Sequence, residues 1–196
     1  MILRLNATMA TILCFTLPAV AYEMPKGYEK IGAFSGEYNG KQLELISTSS
    51  AETEYSDLHF MTSVDETQHI VKAYTVQSSA GLEETGQAVP PILSVEFDQD
   101  PETGALIPAR VILVNESWAY PFVTYPPERS REKIQVTNLV FDSSGKISFD
   151  IEADMILVDW EQYKPVFDAP HIKVQGHYSG KFPAFALVYP YIAGDY

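Results

Sequence analysis

Three acids alternate along one stretch of the chain: Asp150, Glu152 and Asp154. Residues two apart on a strand share a face and stand ~7 Å apart. Carboxyl groups at that separation suit an inverting glycosidase, where one acts as general acid and the other activates water. The wet face of an ordinary strand has the same spacing, so no catalytic residue is assigned. Asp98, Asp100 and Glu102 ahead of Gly104 resemble the opening of a calcium loop. Pro101 interrupts that loop, and Ala109 stands where the bidentate glutamate belongs. The histidines are His59, His69, His171 and His177. The last two share a strand parity but lie ~20 Å apart, too far to hold one ion. Gly32-Ala33-Phe34-Ser35-Gly36 is the nearest string to a serine elbow and has the wrong spacing. There is no His-Glu-x-x-His helix, phosphate-binding glycine loop or dinucleotide fingerprint. The expectation is therefore no catalytic residue, no metal and no cofactor.

Aromatic residues carry the stronger signal. Between Asn115 and Glu132 the chain places Trp118, Tyr120, Phe122 and Tyr125 among Pro121, Pro126 and Pro127. Trp160 and Tyr163 follow the next hairpin. Rings stiffened by proline offer contact area at low entropy cost, suited to stacking on sugars or gripping an extended peptide. A long segment without strand alternation is often a functional loop. These six residues are the expected ligand-binding set. Their competing role is to cover the strand end from Met155 to Trp160, where both parities turn apolar.

The elements that must position these groups are strands. Ile147, Phe149, Ile151, Ala153 and Met155 alternate with polar residues, and Lys133–Phe141 precedes them across Asp142-Ser143-Ser144-Gly145. That is a hairpin with one wet and one dry face. Asn39-Gly40 signals a tight type I′ turn between strands 31–38 and 41–48. Further strands are expected at 57–63, 68–77, 92–97, 106–115, 171–179 and 181–189. Residues 49–56 read as a loop and 78–91, with Pro90-Pro91, as a connection. Pro108 implies an edge or a bulge. About ten strands and little or no helix predict an all-β domain, an antiparallel β-sandwich or an open barrel. Pro183 and Pro190 break the final segment, and long alternating segments are not sustained, against a membrane-spanning barrel.

Residues 1–21 read as a cleaved signal peptide: Arg4, an apolar run from Ala10 to Leu17, then Ala19-Val20-Ala21. The mature domain is then 22–196, periplasmic or secreted. Cys14, the one cysteine, leaves with the leader, which excludes thiol catalysis and thiolate metal sites. The leader holds one cation and no acid, so the net charge moves from −13 to −14. That charge disfavours nucleic acid and anionic lipid. With 46% hydrophobic residues the chain is globular, and the acidity is not a sign of disorder. The expected function is exported, non-enzymatic binding through the aromatic loop, with a protein or glycan of the cell envelope as partner. The alternatives are an envelope-polysaccharide hydrolase using the acidic strand face and a β-barrel carrier of a small apolar ligand.

Overall fold

Alternating apolar residues give thirteen strands in the computed structural model, which describes residues 24–64, 70–188 and 191–192. The expected export segment with Cys14, His69, Pro190 and the chain end lie outside the described residues. In chain order the strands are β1 (Glu29–Tyr38), β2 (Lys41–Ser50), β3 (Tyr55–Ser56), β4 (Leu58–Val64), β5 (Ile70–Leu82), β6 (Ala88–Gln99), β7 (Leu106–Val114), β8 (Phe122–Val123), β9 (Ile134–Phe141), β10 (Lys146–Asp159), β11 (Lys164–Pro165), β12 (His171–Lys181) and β13 (Tyr191–Ile192). A 3-10 helix spans Pro127–Lys133, and a short helix α1 spans Ala184–Val188.

Eight strands close a ring in the order β1-β2-β5-β6-β7-β8-β10-β12 and back to β1. Each neighbouring pair in the ring is antiparallel. The fold is all-β, and of the two expected architectures the barrel forms, closed rather than open. β9 and β11 attach to β10, and β4 attaches to β5. An eight-stranded barrel is just wide enough for side chains to fill it. Phe34, Phe97, Phe149 and Tyr178 do so, with Phe149 5.2 Å from Phe97 and 5.3 Å from Tyr178 between ring centres. β10 and β12 turn apolar residues inward and polar ones outward. A membrane-spanning barrel needs the inverse pattern.

Local chemistry explains most boundaries. Asn39 and Gly40 both take positive φ, 49° and 74°, as a type I′ turn requires. Ala109, beside Pro108, drops out of the β6–β7 register as a bulge. Three expectations are corrected. Residues 78–91 are mostly strand: β5 runs to Leu82 and β6 starts at Ala88. Pro90 and Pro91 fall in the register gap between Gly81↔Val89 and Ser79↔Ile92, where no ladder N–H is needed. Residues 49–56 are not simply a loop, because β2 continues to Ser50 and β3 pairs with it. The stretch expected as a strand at 181–189 is not one over its described residues 182–188: β12 ends at Lys181 and the chain turns into α1, Pro183 C=O accepting from Ala186 N–H at 3.0 Å. Short apolar runs serve helix and strand alike.

The ring closes at one backbone register pair, Ile46↔Ser79. Asp57 and neighbouring side chains hold the rest of that seam. Buried Asp57 lies between β2 and β5. Its carboxylate accepts from Thr48 N–H (2.6 Å), Thr48 Oγ1 (2.8 Å), Tyr55 Oη (2.6 Å) and Gln77 Nε2 (3.1 Å). Its own N–H donates to Thr48 C=O, and its C=O accepts from Gln77 N–H, both at 2.9 Å. Residue 57 is a surrogate rung. Burial pushes its carboxyl pKa above the ordinary range against the opposing effect of those donors.

Candidate functional site

The aromatic segment wraps the outer wall where β7, β8 and β10 meet. Ile92, Ile112, Val114, Val123 and Val158 face outward there and form a second buried cluster. Tyr125, Ile156 and Trp160 pack on it. That meets the expectation that something covers the apolar end of β10. Backbone bonds fix the cover: Val158 N–H donates to Pro121 C=O and Trp160 N–H to Ala119 C=O, both at 3.0 Å. On the opposite edge, β11 pairs Val158 with Pro165, and Val166 N–H donates to Leu157 C=O at 3.1 Å. The result is a three-stranded lip.

The six expected binding residues divide. Trp118 and Tyr120 stand in water, 49% and 54% exposed. Tyr163 is half-buried, edge-on to Trp160 at 5.3 Å. Phe122 belongs to β8 and packs against the main core, while Tyr125 and Trp160 pack on the outer cluster. These three rings therefore spend their surface on the fold. Phe167 joins the exposed rings at 91% exposure. Its sequence signal was an aromatic in a turn between Pro165 and Pro170. Beside the lip, Arg110 lies 5.9 Å from the Trp160 ring centre and makes a bidentate bond to Glu96, 3.0 and 2.9 Å. Burial opposes the charge on Arg110, and Glu96 more than offsets it, so its pKa stays raised. A groove of about 410 Å³ runs from Arg110 and Tyr163 to Ser130 and Arg131 of the 3-10 helix.

A second depression, about 600 Å³, lies on the outer face of β2, β1, β12, β10 and β9. Two glycines shape it. Gly36 and Gly176 are register partners, and a Cβ on Gly176 would lie 2.5 Å from Phe34 Cζ. No side chain holds the wall off the core there, so the strands sink onto the Phe34 ring and the outer surface hollows. Register then aligns polar residues in two rows. One runs Gln42, Glu37, Gln175, Glu152, Gln135; the other runs Glu44, Ser35, His177, Asp150, Thr137. Gln175 Nε2 donates to Glu37 at 3.0 Å, and Lys173 Nζ to Glu152 at 2.6 Å. Asp150 meets Asn138 Nδ2 at 2.6 Å and His177 Nδ1 at 2.7 Å.

This geometry bears on the acid chemistry weighed from spacing. Asn138 first, and His177 second, hold the Asp150 carboxyl below the usual carboxylate range. A glycosidase general acid needs the opposite shift. Glu152 is in an ion pair with Lys173. At the β6–β7 tip, Asp100 Oδ1 accepts the N–H groups of Glu102 and Thr103 at 2.9 and 2.8 Å, and Asp98 pairs with Arg131. Asp100 thus forms the turn, and Asp98 is an ion-pair partner. His171 and His177 are both exposed and six residues apart on β12. His59 is half-buried in β4, and burial lowers its pKa.

What sequence reading missed is the polar hollow. Strands such as 147–155 announced their wet face, but nothing in one strand states which residue of the next lies beside it. Comparison of the chain with protein-family models, with curated proteins and with solved structures finds no match.

Proposed function

We propose that this is an exported, non-enzymatic binding protein whose contact surface is the aromatic lip. The observation that supports it most is the exposure of Trp118, Tyr120 and Phe167 in the turns that flank β8 and β11, beside strands whose outward apolar residues are buried. Tryptophan and tyrosine are enriched among the residues that carry binding energy at contact surfaces. Glu116, Glu161 and Asp168 flank them in the chain, so the lip suits an extended basic segment of a partner protein. The barrel interior is filled by rings, which argues against a carrier using the lumen.

The double variant Trp118→Ala/Tyr120→Ala tests this in affinity capture from an envelope extract, scored against wild type by quantitative mass spectrometry. Those rings are about half exposed and are members of neither core cluster, so the variant's melting temperature stays within about 2 °C of wild type. Proteins retained by wild type fall at least tenfold with the variant, and wild-type retention weakens with salt. Equal retention, or a variant that melts early, removes the lip from consideration. Export has its own measurement: the intact mass of the secreted or periplasmic protein corresponds to a chain starting at Tyr22. A mass that includes residues 1–21 ends the export reading.

A further inference from the structure

We propose that the polar hollow over β1, β12 and β10 is a second binding site, for a neutral linear glycan laid across the strands. The row Gln42–Glu37–Gln175–Glu152–Gln135 alternates primary amide and carboxylate over five neighbouring strands. At ~4.8 Å per strand it runs ~19 Å, with like groups recurring every second strand. All five residues line the hollow. Its volume is that of an ordinary ligand site.

The alternation selects the ligand chemistry. An amide donates and accepts; a carboxylate only accepts. Hydroxyl groups also donate and accept, so vicinal hydroxyls use both kinds of group in the row. An ammonium has three donors and no acceptor, so it uses the row's oxygens but none of the amide N–H groups that Gln175 and Gln42 do not already give to Glu37 and Glu44. A linear glycan sets successive rings at intervals close to the strand spacing, so each ring meets an amide or an acid. The negative surface excludes acidic polysaccharides. The floor is preorganised: Gln175 is tied to Glu37, Glu152 to Lys173, and Asp150 to Asn138 and His177. Held side chains lose little entropy on binding. Glu37, Glu152 and Asp150 keep lone pairs free for hydroxyl donors.

The hollow uses residues 150–152 of β10 and the lip uses its far end, 156–159, with Trp160, so the two readings fail separately. The experiment is an amide NMR titration of the full mature chain with cellohexaose, chitohexaose and maltohexaose, with spermine as a fourth probe. At least one hexasaccharide binds at millimolar concentration and shifts residues of β1, β10 and β12. Gln175→Ala, at the centre of the row, weakens that binding about tenfold, the worth of one or two hydrogen bonds. Trp118→Ala leaves it unchanged. The proposal is overturned if no hexasaccharide shifts these strands, or if spermine alone does. It is equally overturned if Trp118→Ala abolishes sugar binding while Gln175→Ala does not, because the lip then holds the sugar.

Discussion

Replacing Asp57 by alanine costs about 3–5 kcal/mol of stability and lowers the melting temperature by roughly 10 °C. The size follows from where the residue lies. Between β2 and β5 the backbone supplies a single register pair, and Asp57 and Ser47 bridge the rest. Alanine keeps its main-chain bonds to Thr48 and Gln77 but removes the acceptor of four buried or half-buried donors. Each donor left unpaired in the interior carries a desolvation penalty. Tyr178 Oη, which donates to Ser47 Oγ at 3.1 Å, and the Ser47–Ser78 contact at 2.9 Å continue the same seam into the core. Denaturant melts of Asp57→Ala and wild type measure the loss; a difference under about 1 kcal/mol would show that the seam closes without it.

The same carboxyl sets a pH dependence with a definite sign. Its folded pKa is raised, chiefly by burial, above the ordinary carboxyl range. The native state therefore holds this proton more tightly than the unfolded chain. From about pH 4 up to the raised value, stability from this group falls as pH rises. Asp57→Asn cannot titrate, so the wild type's margin over it is greatest near pH 4 and narrows towards neutrality. A margin that widens with pH would mean the four donors outweigh burial. The surface acids Asp100, Asp142 and Asp150, whose carboxyls lie below the ordinary range, slope the other way in both proteins. They cancel in the comparison.

The second large effect is at Gly176. Alanine there costs about 3 kcal/mol, at the upper end for overpacking. Its Cβ would lie 2.5 Å from Phe34 Cζ, 2.6 Å from Ser35 O and 2.7 Å from Gly36 Cα. Two of those three atoms are backbone of the partner strand, which cannot move without parting β1 from β12. Phe34→Leu in the same chain removes the ring contact and leaves the backbone ones, so the double variant recovers only part of the loss. Gly40→Ala is the control: nothing lies within 4 Å of its Cβ, and only its φ of 74° is strained. It costs roughly 1 kcal/mol. Thermal melts of the three variants rank them, and equal losses at 176 and 40 would rule out the close approach as the cause.

Much of the fold was legible in one dimension. Period-two alternation in 147–155 stated the strand, its dry face and its wet face, because a half-buried strand admits no other pattern. Asn39-Gly40 and Pro108 stated their turn and bulge because backbone conformation is a local property. The double-sided apolar end of β10 stated that it would be covered. Local pattern failed at 78–91 and 181–189, where prolines and short apolar runs take their meaning from the neighbouring strand. Of the aromatic set, the chain showed which residues were large and stiff. Only packing separated Trp118 and Tyr120 from Phe122, Tyr125 and Trp160. The seam at Asp57 and the amide–carboxylate row were wholly tertiary. Both depend on register between strands as far apart in the chain as Glu37 and Gln175. Register comes from burying the common face of all strands at once, so side chains on the other face acquire neighbours that no single segment encodes.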